Sequence, residues 1–540
     1  MLRPALRARP SLRRSCSILL MPTGRYDIII IGSGAGGGTL AHALANTPAD
    51  ILIIERGDFI PKEEENWDPE AVWKHLRYRT RETWLDTCGK AFLPYTHYGV
   101  GGNTKFWGSV LYRLPREDFD EVQHLDGVSP AWPIDYETLE PFYARAERLY
   151  QVHGESGLDP IEAPREPFPH TAVPHADDMA ACVDQLQQQG LHPSPLPLGL
   201  RNLGAQDGCI LCNTCNSFPC FRHAKSEADV CCIRPALERP NVTLWTGAYA
   251  QRLLTDPSGR RVEAVEVVHQ GETRRVEAPL VLVSCGAVNS TALLLRSASD
   301  QHPNGLANSS GLVGRRYMAH LATMIEGFHP FRINQTVFQK TVAINDFYFH
   351  GPDGGYPLGQ IQSQGRTHGV MAQTVVPWLP LWVYNAWVAR GVDWLAMSED
   401  LPRPDNRVTI EADGQIRIHY HPNNVGAHKR LVREMKRILR RLGYWVVITY
   451  SHKEQNTTHQ CGTLCFGTDP RESVLDPYCR SHDIENLFVV DASFFPSSAA
   501  VNPGLTIAAQ ALRVADHIRE TVLGVRSETA GGERQGTADI

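Results

Sequence analysis

Tyr26-Asp-Ile-Ile-Ile-Ile31 runs straight into Gly32-Ser-Gly34-Ala-Gly-Gly37. The first half is a short, mostly apolar, β-branched run, the composition of a strand buried on both faces. Residues 39–46 have helical composition, and Pro48 ends them. Asp50-Ile-Leu-Ile-Ile54 is a second strand of the same kind, closed by Glu55-Arg56-Gly57. Strand, glycine turn, helix and strand make one β-α-β unit, which predicts an α/β fold with a Rossmann-like parallel sheet.

The glycines have separate duties in the pattern G-x-G-x-x-G. Gly32 allows the tight turn, Gly34 lets the backbone approach a pyrophosphate, and Gly37 lets helix and strand pack closely. The helix N-terminus then offers unpaired N–H groups and a positive dipole to phosphate. Glu55 stands at the end of the second strand, where a carboxylate accepts hydrogen bonds from ribose hydroxyls. The pattern does not separate a nicotinamide from a flavin dinucleotide.

Outward from this unit, 540 residues exceed the size at which one core stops growing, so two domains are expected. Asn241-Val-Thr-Leu-Trp245, Val262-Glu-Ala-Val-Glu-Val267, Leu280-Val-Leu-Val283 and Leu487-Phe-Val-Val490 read as further strands. Residues 305–455 have another texture, with many aromatics and a hairpin signal around Asp413-Gly414. The nucleotide domain is therefore predicted to be discontinuous (25–155, 205–304 and 456–525). A substrate domain of α+β type, built on an antiparallel sheet, takes 156–204 and 305–455. Residues 1–24 are expected to be a disordered leader or to follow a misassigned start, with Met21 as first residue, and 526–540 a disordered tail. Arg13-Arg14 admits a twin-arginine export signal, but the apolar run Ile18-Leu-Leu-Met21 stops at Pro22, so a cytoplasmic protein is expected. A net charge of −6 points neither to nucleic acid nor to an anionic membrane, and no apolar run spans a bilayer.

Three C-terminal pieces carry the chemistry: His459-Gln-Cys-Gly-Thr463, Asp491-Ala-Ser493 at the end of a strand, and Asn502-Pro503-Gly504-Leu-Thr506 opening a helix. A histidine titrates near neutrality and suits proton transfer. An amide holds an oxygen without titrating. With Gly101-Gly102-Asn103-Thr104, Cys285-Gly286-Ala287-Val-Asn289-Ser290 and Asp405-Asn406-Arg407-Val408-Thr409, these pieces resemble, in order, the glucose–methanol–choline oxidoreductases, FAD enzymes acting on alcohols.

The resemblance implies that His459 sits over the flavin as base, with Asn502 as second site residue. It implies that Gly101, Gly102 and Asn103 run along the pyrophosphate towards flavin N5, that Ala250 lies near adenine, and that Asp491 bonds the ribityl or pyrophosphate side. Pro503 and Thr506 would close over the flavin. Where some members bear a linking histidine, this chain reads Lys105-Phe106-Trp107, so the FAD is expected to be non-covalent. Cys209, Cys212, Cys215 and Cys220 have spacings that suit an iron–sulfur cluster or a structural zinc, a disulfide-stapled loop or free thiols being the plain alternatives. The expected reaction is oxidation of a CH–OH group of a sugar, glycoside or polyol. Electrons pass to a quinone, an electron-transfer protein or, in an oxidase, to O2. A non-redox FAD lyase is a further alternative. Trp378, Trp382 and Trp387 are read either as sugar-stacking residues or as core.

Overall fold

The computed structural model describes residues 22–451 and 457–525. The expected tail and the leader before Pro22 lie outside these. Pro22–Arg25 is itself a strand, paired in parallel with Glu272–Glu277, so the leader boundary at residue 24 falls too late. The sheet edge there offers backbone partners that the sequence pattern does not display.

Five parallel strands form the centre: β1 Ile28–Ile31, β2 Ile51–Ile54, β3 Val242–Trp245, β4 Leu280–Val283 and β5 Leu487–Val489. Their order is β3-β2-β1-β4-β5. Every residue of β1, β2, β4 and β5 is buried, as their unbroken apolar runs require. Five helices matter for the site: α1 Ala35–Leu44, α2 Tyr136–Leu149, α3 Ala287–Arg296, α4 Val425–Arg441 and α5 Gly504–Thr521. Helix α5 packs against both α1 and α2, so the C-terminal end of the chain closes the layer that its N-terminal end begins.

The second layer is a six-stranded antiparallel sheet. Its order is Pro193–Pro195, Val342–Ile344, Gln360–Ser363, Gly391–Ser398, Leu321–Phe328 and Val446–Ser451. Leu431, Met435 and Ile438 of α4 pack on Ile325, Trp394 and Ala396 from one face. The hairpin Arg407–Ile410/Ile416–His419 does not join this sheet. It pairs instead with Trp84–Leu85, and its Val408, Ile416 and Ile418 pack with Val288 and Ala292 of α3. Its apolar faces match a groove on the nucleotide layer, so part of 305–455 belongs there. Residues 193–199 link the layers: Pro193–Pro195 pairs with Val342–Ile344, while Leu198–Gly199 pairs with Val152–Gly154.

Candidate active site

A cavity of about 310 Å³ lies against the nucleotide layer, lined by the turns after β1, β2 and β4 and by the start of α5. At one end the turn after β1 meets the Gly101-Gly102 turn. Gly32 has φ +98° and abuts Ser284, where a Cβ would stand 2.3 Å from the carbonyl oxygen. A Cβ on Gly34 would meet nothing within 4 Å, so the backbone faces open cavity there, at the N-terminus of α1. Gly102, at φ +54°, lies against Gly34, its would-be Cβ 3.3 Å from the Gly34 Cα. Two glycine turns and a helix N-terminus thus converge on one open space, the arrangement that suits a phosphate pair.

A serine ties the turns together. Ser33 Oγ donates to Glu55 Oε2 (2.6 Å) and accepts from Gly101 N (3.0 Å). Glu55 also accepts from Ser33 N and Gly57 N. Burial pushes the Glu55 carboxyl above its usual range, against the pull of the Gly57 and Ser33 bonds. Glu55 and Ala250 line this end. Gly37 and Gly101 do not: a Cβ on Gly37 would stand 1.9 Å from the Gly32 carbonyl oxygen, and one on Gly101 would press on Asp229. Both hold the turns in shape from behind.

Asp491 lines the middle of the cavity. Its carboxylate accepts from Ser290 Oγ (2.5 Å), Gly286 N (3.0 Å) and Ser493 N (2.9 Å), which fastens the Cys285-Gly286 turn to the end of β5. Desolvation raises its pKa.

At the far end stand His459, Asn502 and Pro503, with Asn103, Trp107 and His97. His459 has a left-handed backbone, φ +54°. Its Nδ1 lies 3.0 Å from Nδ1 of His320, whose Nε2 is 3.0 Å from the Ser498 carbonyl oxygen. A carbonyl only accepts, so His320 Nε2 carries the hydrogen. Burial holds the His320 pKa down, so the ring is neutral and its Nδ1 is an acceptor. His459 Nδ1 must then be the donor, and the His459 lone pair is on Nε2. Asn502 Oδ1 is buried and has no hydrogen-bond partner among the described residues. His97 stacks on Phe106 at 3.7 Å and bonds Asn103 Oδ1 through ring and backbone nitrogens. Its pKa is pushed down to about 3, chiefly by burial.

The site therefore brings together Gly32, Gly34, Gly102, Asn103, Glu55, Ala250, Asp491, His459, Asn502 and Pro503. Thr506 is a correction: it is fully buried, it bonds Tyr143 Oη at 2.8 Å, and it turns away from the cavity into the packing of α5 on α2. Ser33, His97, Trp107 and His320 were not expected. Only Ser33 and Trp107, inside glycine segments already singled out, carried a signal.

Lys105 points away as well, into a buried pairing with Glu227 (2.5 Å) and Asp229 (2.9 Å). Cys209, Cys212, Cys215 and Cys220 are half-buried free thiols on one loop, and burial raises Cys209 to about 12. Among the described residues no three histidine, cysteine or acidic side chains converge as metal ligands. Trp378 and Trp382 neither line the cavity nor enter the core; both are exposed.

Two family profiles, both described as GMC oxidoreductase, match residues 26–322 and 402–511. The chain is 31% identical over 526 residues to 6'''-hydroxyparomomycin C oxidase of Streptomyces lividus, covering 91% of this chain and 92% of that one. It is 27% identical to the fructose dehydrogenase large subunit of Gluconobacter japonicus, over 91% and 97% of the two chains. Among solved structures, pyridoxine 4-oxidase from Mesorbium loti superposes with a TM-score of 0.64 at 20% identity, over 92% of this chain and 99% of that one, a likeness of fold.

Proposed function

The chain belongs to the GMC oxidoreductase family and is an FAD-dependent alcohol oxidoreductase; from that premise we propose that it oxidises a CH–OH group of a polyhydroxylated substrate, with His459 as base and Asn502 as its partner. The observation that carries this reading is the single cavity with a phosphate-shaped end at Gly34 and Gly102 and a proton-accepting end at His459. The names of the two relatives, an oxidase of a hydroxyparomomycin and a dehydrogenase of fructose, support a hydroxyl-bearing substrate.

In this reading Gly32, Gly34, Gly102 and the N-terminus of α1 hold the pyrophosphate of a non-covalent FAD, with Gly101 shaping the turn from behind. Glu55 takes the ribose, Ala250 lies by the adenine, and Asn103, Asp491 and Pro503 border the flavin end. Bound FAD supplies the hydride acceptor. The protein supplies proton transfer and aim. His320 fixes the His459 tautomer, so Nε2 takes the hydroxyl proton, and the imidazolium that results keeps its Nδ1–H on His320. Asn502 Oδ1, without a hydrogen-bond partner among the described residues, accepts from a neighbouring hydroxyl of the polyhydroxylated substrate and so turns one C–H bond towards the acceptor. No step is routed through the cysteine loop.

Purified protein should show flavin absorbance that bleaches without air on adding a suitable polyol. Colourless protein after gentle extraction sinks the reading. A second reading, an oxidase that returns electrons to O2, is favoured by the oxidase among its relatives. Hydrogen peroxide released in step with substrate loss, without added quinone or dye, identifies it.

A further inference from the structure

Trp378 is 82% exposed and Trp382 71%. They stand on a hairpin of two short helices, Gly369–Val375 and Leu381–Val388, with Pro377 and Pro380 at its tip. From residue 369 to residue 389 there is no Asp, Glu, Lys, Arg or His. The apolar surface continues beyond the hairpin. Trp387 packs on Phe328 at 5.0 Å, Phe328 pairs across the sheet with exposed Val446, and Trp445 meets Phe331 at 5.7 Å. Phe331 and Trp445 are 81% and 67% exposed. An isolated exposed tryptophan needs no explanation, but a contiguous surface of this kind marks a docking face.

The charges beside it indicate what docks. Helix α4 carries seven lysines and arginines against one acid, Glu434, in a chain whose net charge is −6. It ends in exposed Arg440 and Arg441, only a few residues before Trp445. Tryptophans on an uncharged tip with a basic helix at the rim form the pattern of a segment that lies in a bilayer interface: the rings enter the headgroup layer, and the cations meet anionic lipids. Among the described residues no helix is long and apolar enough to cross a membrane, so the contact is one-sided. The overall negative charge had argued against such a partner; the positive face is local.

We propose that the hairpin bearing Trp378 and Trp382, flanked by Phe331, Trp445 and the C-terminal turn of α4, seats the protein on an anionic lipid surface. The helix Gly369–Val375 packs against Glu70–Lys74, so the seat is joined directly to the nucleotide layer.

The test floats the flavin-loaded enzyme with vesicles of phosphatidylcholine and phosphatidylglycerol. Wild type should co-float, less so with pure phosphatidylcholine or in about 0.5 M salt. Trp378→Ser/Trp382→Ser should lower the floated fraction about fivefold or more, with flavin spectrum and melting temperature unchanged. As a measurement without substitution, vesicles with brominated acyl chains should quench wild-type tryptophan fluorescence. Failure of wild type to float, unquenched fluorescence, or flotation undiminished by the double substitution overturns the proposal. So does a wild-type dimer, seen by light scattering, that the same substitutions split, because the face then belongs to a second copy. None of these outcomes depends on substrate identity, so they stand apart from the test of alcohol oxidation.

Discussion

His320 and His459 face each other through their Nδ1 atoms at 3.0 Å, with rings nearly perpendicular at 81°. Two like nitrogens bond at that distance only if one ring donates and the other accepts. The Ser498 carbonyl decides which. A backbone oxygen outside the cavity thereby determines which His459 nitrogen carries the lone pair, the nitrogen that the proposed function makes the proton acceptor.

His459→Ala should lower turnover by about 10²–10⁴-fold, the usual worth of a positioned base, while the protein keeps its flavin. Turnover per bound flavin, read against absorbance, checks this; wild-type turnover places the base elsewhere.

His320→Gln and His320→Leu separate positioning from packing. Glutamine can accept from His459 Nδ1 and donate to Ser498, so it should retain most activity. Leucine can do neither, so it should lose activity and shift the pH at which kcat/KM rises. Equal pH profiles in the two variants would reduce His320 to a space-filler.

Asn502→Ala leaves the base intact and removes the unsatisfied Oδ1. Flavin reduction, followed in a stopped-flow instrument without oxygen, should slow about 10-fold or more, with little change in FAD content. Unchanged reduction kinetics would remove Asn502 from the site.

Ser33→Ala deletes the hydroxyl shared by Gly101 N and Glu55. One bond to a charged group and one to a buried N–H are lost, so FAD should bind about 10-fold more weakly. Fluorescence titration of apoprotein measures it, and turnover at saturating FAD should recover.

His97 gives a pH prediction. Its folded pKa, about 3, lies below the ordinary 6.5, so the unfolded chain binds the extra proton between those values. The stability tied to the neutral ring is present above about 6.5 and is lost as pH falls towards about 3, at roughly 1.4 kcal/mol per pKa unit. His97→Phe keeps a ring on Phe106 and should move the acid-unfolding midpoint to lower pH. A midpoint that does not move would show that His97 is not among the groups protonated on acid unfolding.

What the sequence disclosed follows from how local each signal is. β1, α1 and β2 are contiguous, and glycine spacing and unbroken apolar runs place them without tertiary knowledge. Glu55 and Asp491 sit at the ends of such segments and are legible with them, whereas His459 lies in a loop and is legible only through the motif His459-Gln-Cys-Gly-Thr463. His320 is not, because its role depends on Ser498, far along the chain, and its flanking Ala319 and Leu321 mark only a buried strand. Thr506 fits the pattern of a residue at a helix N-terminus beside the site, yet which way its hydroxyl turns is decided by Tyr143 on α2. The order of the six-stranded sheet was equally hidden: Pro193–Pro195 and Val446–Ser451 are edge strands whose partners are set by packing.

The position of β5 bears on how the molecule is made. The parallel sheet is finished by Leu487–Val489 against β4, and Asp491, Asn502 and α5 follow it in the chain. A ribosome therefore releases four of the five strands long before the last, and β4 waits with one open edge while some two hundred residues, the strands of the other layer among them, emerge. The cofactor pocket cannot close until β5 and α5 have been made. Chains cut short before residue 487 should expose that edge, fail to retain flavin and become clients of chaperones, so flavin loading marks a chain made at least through α5.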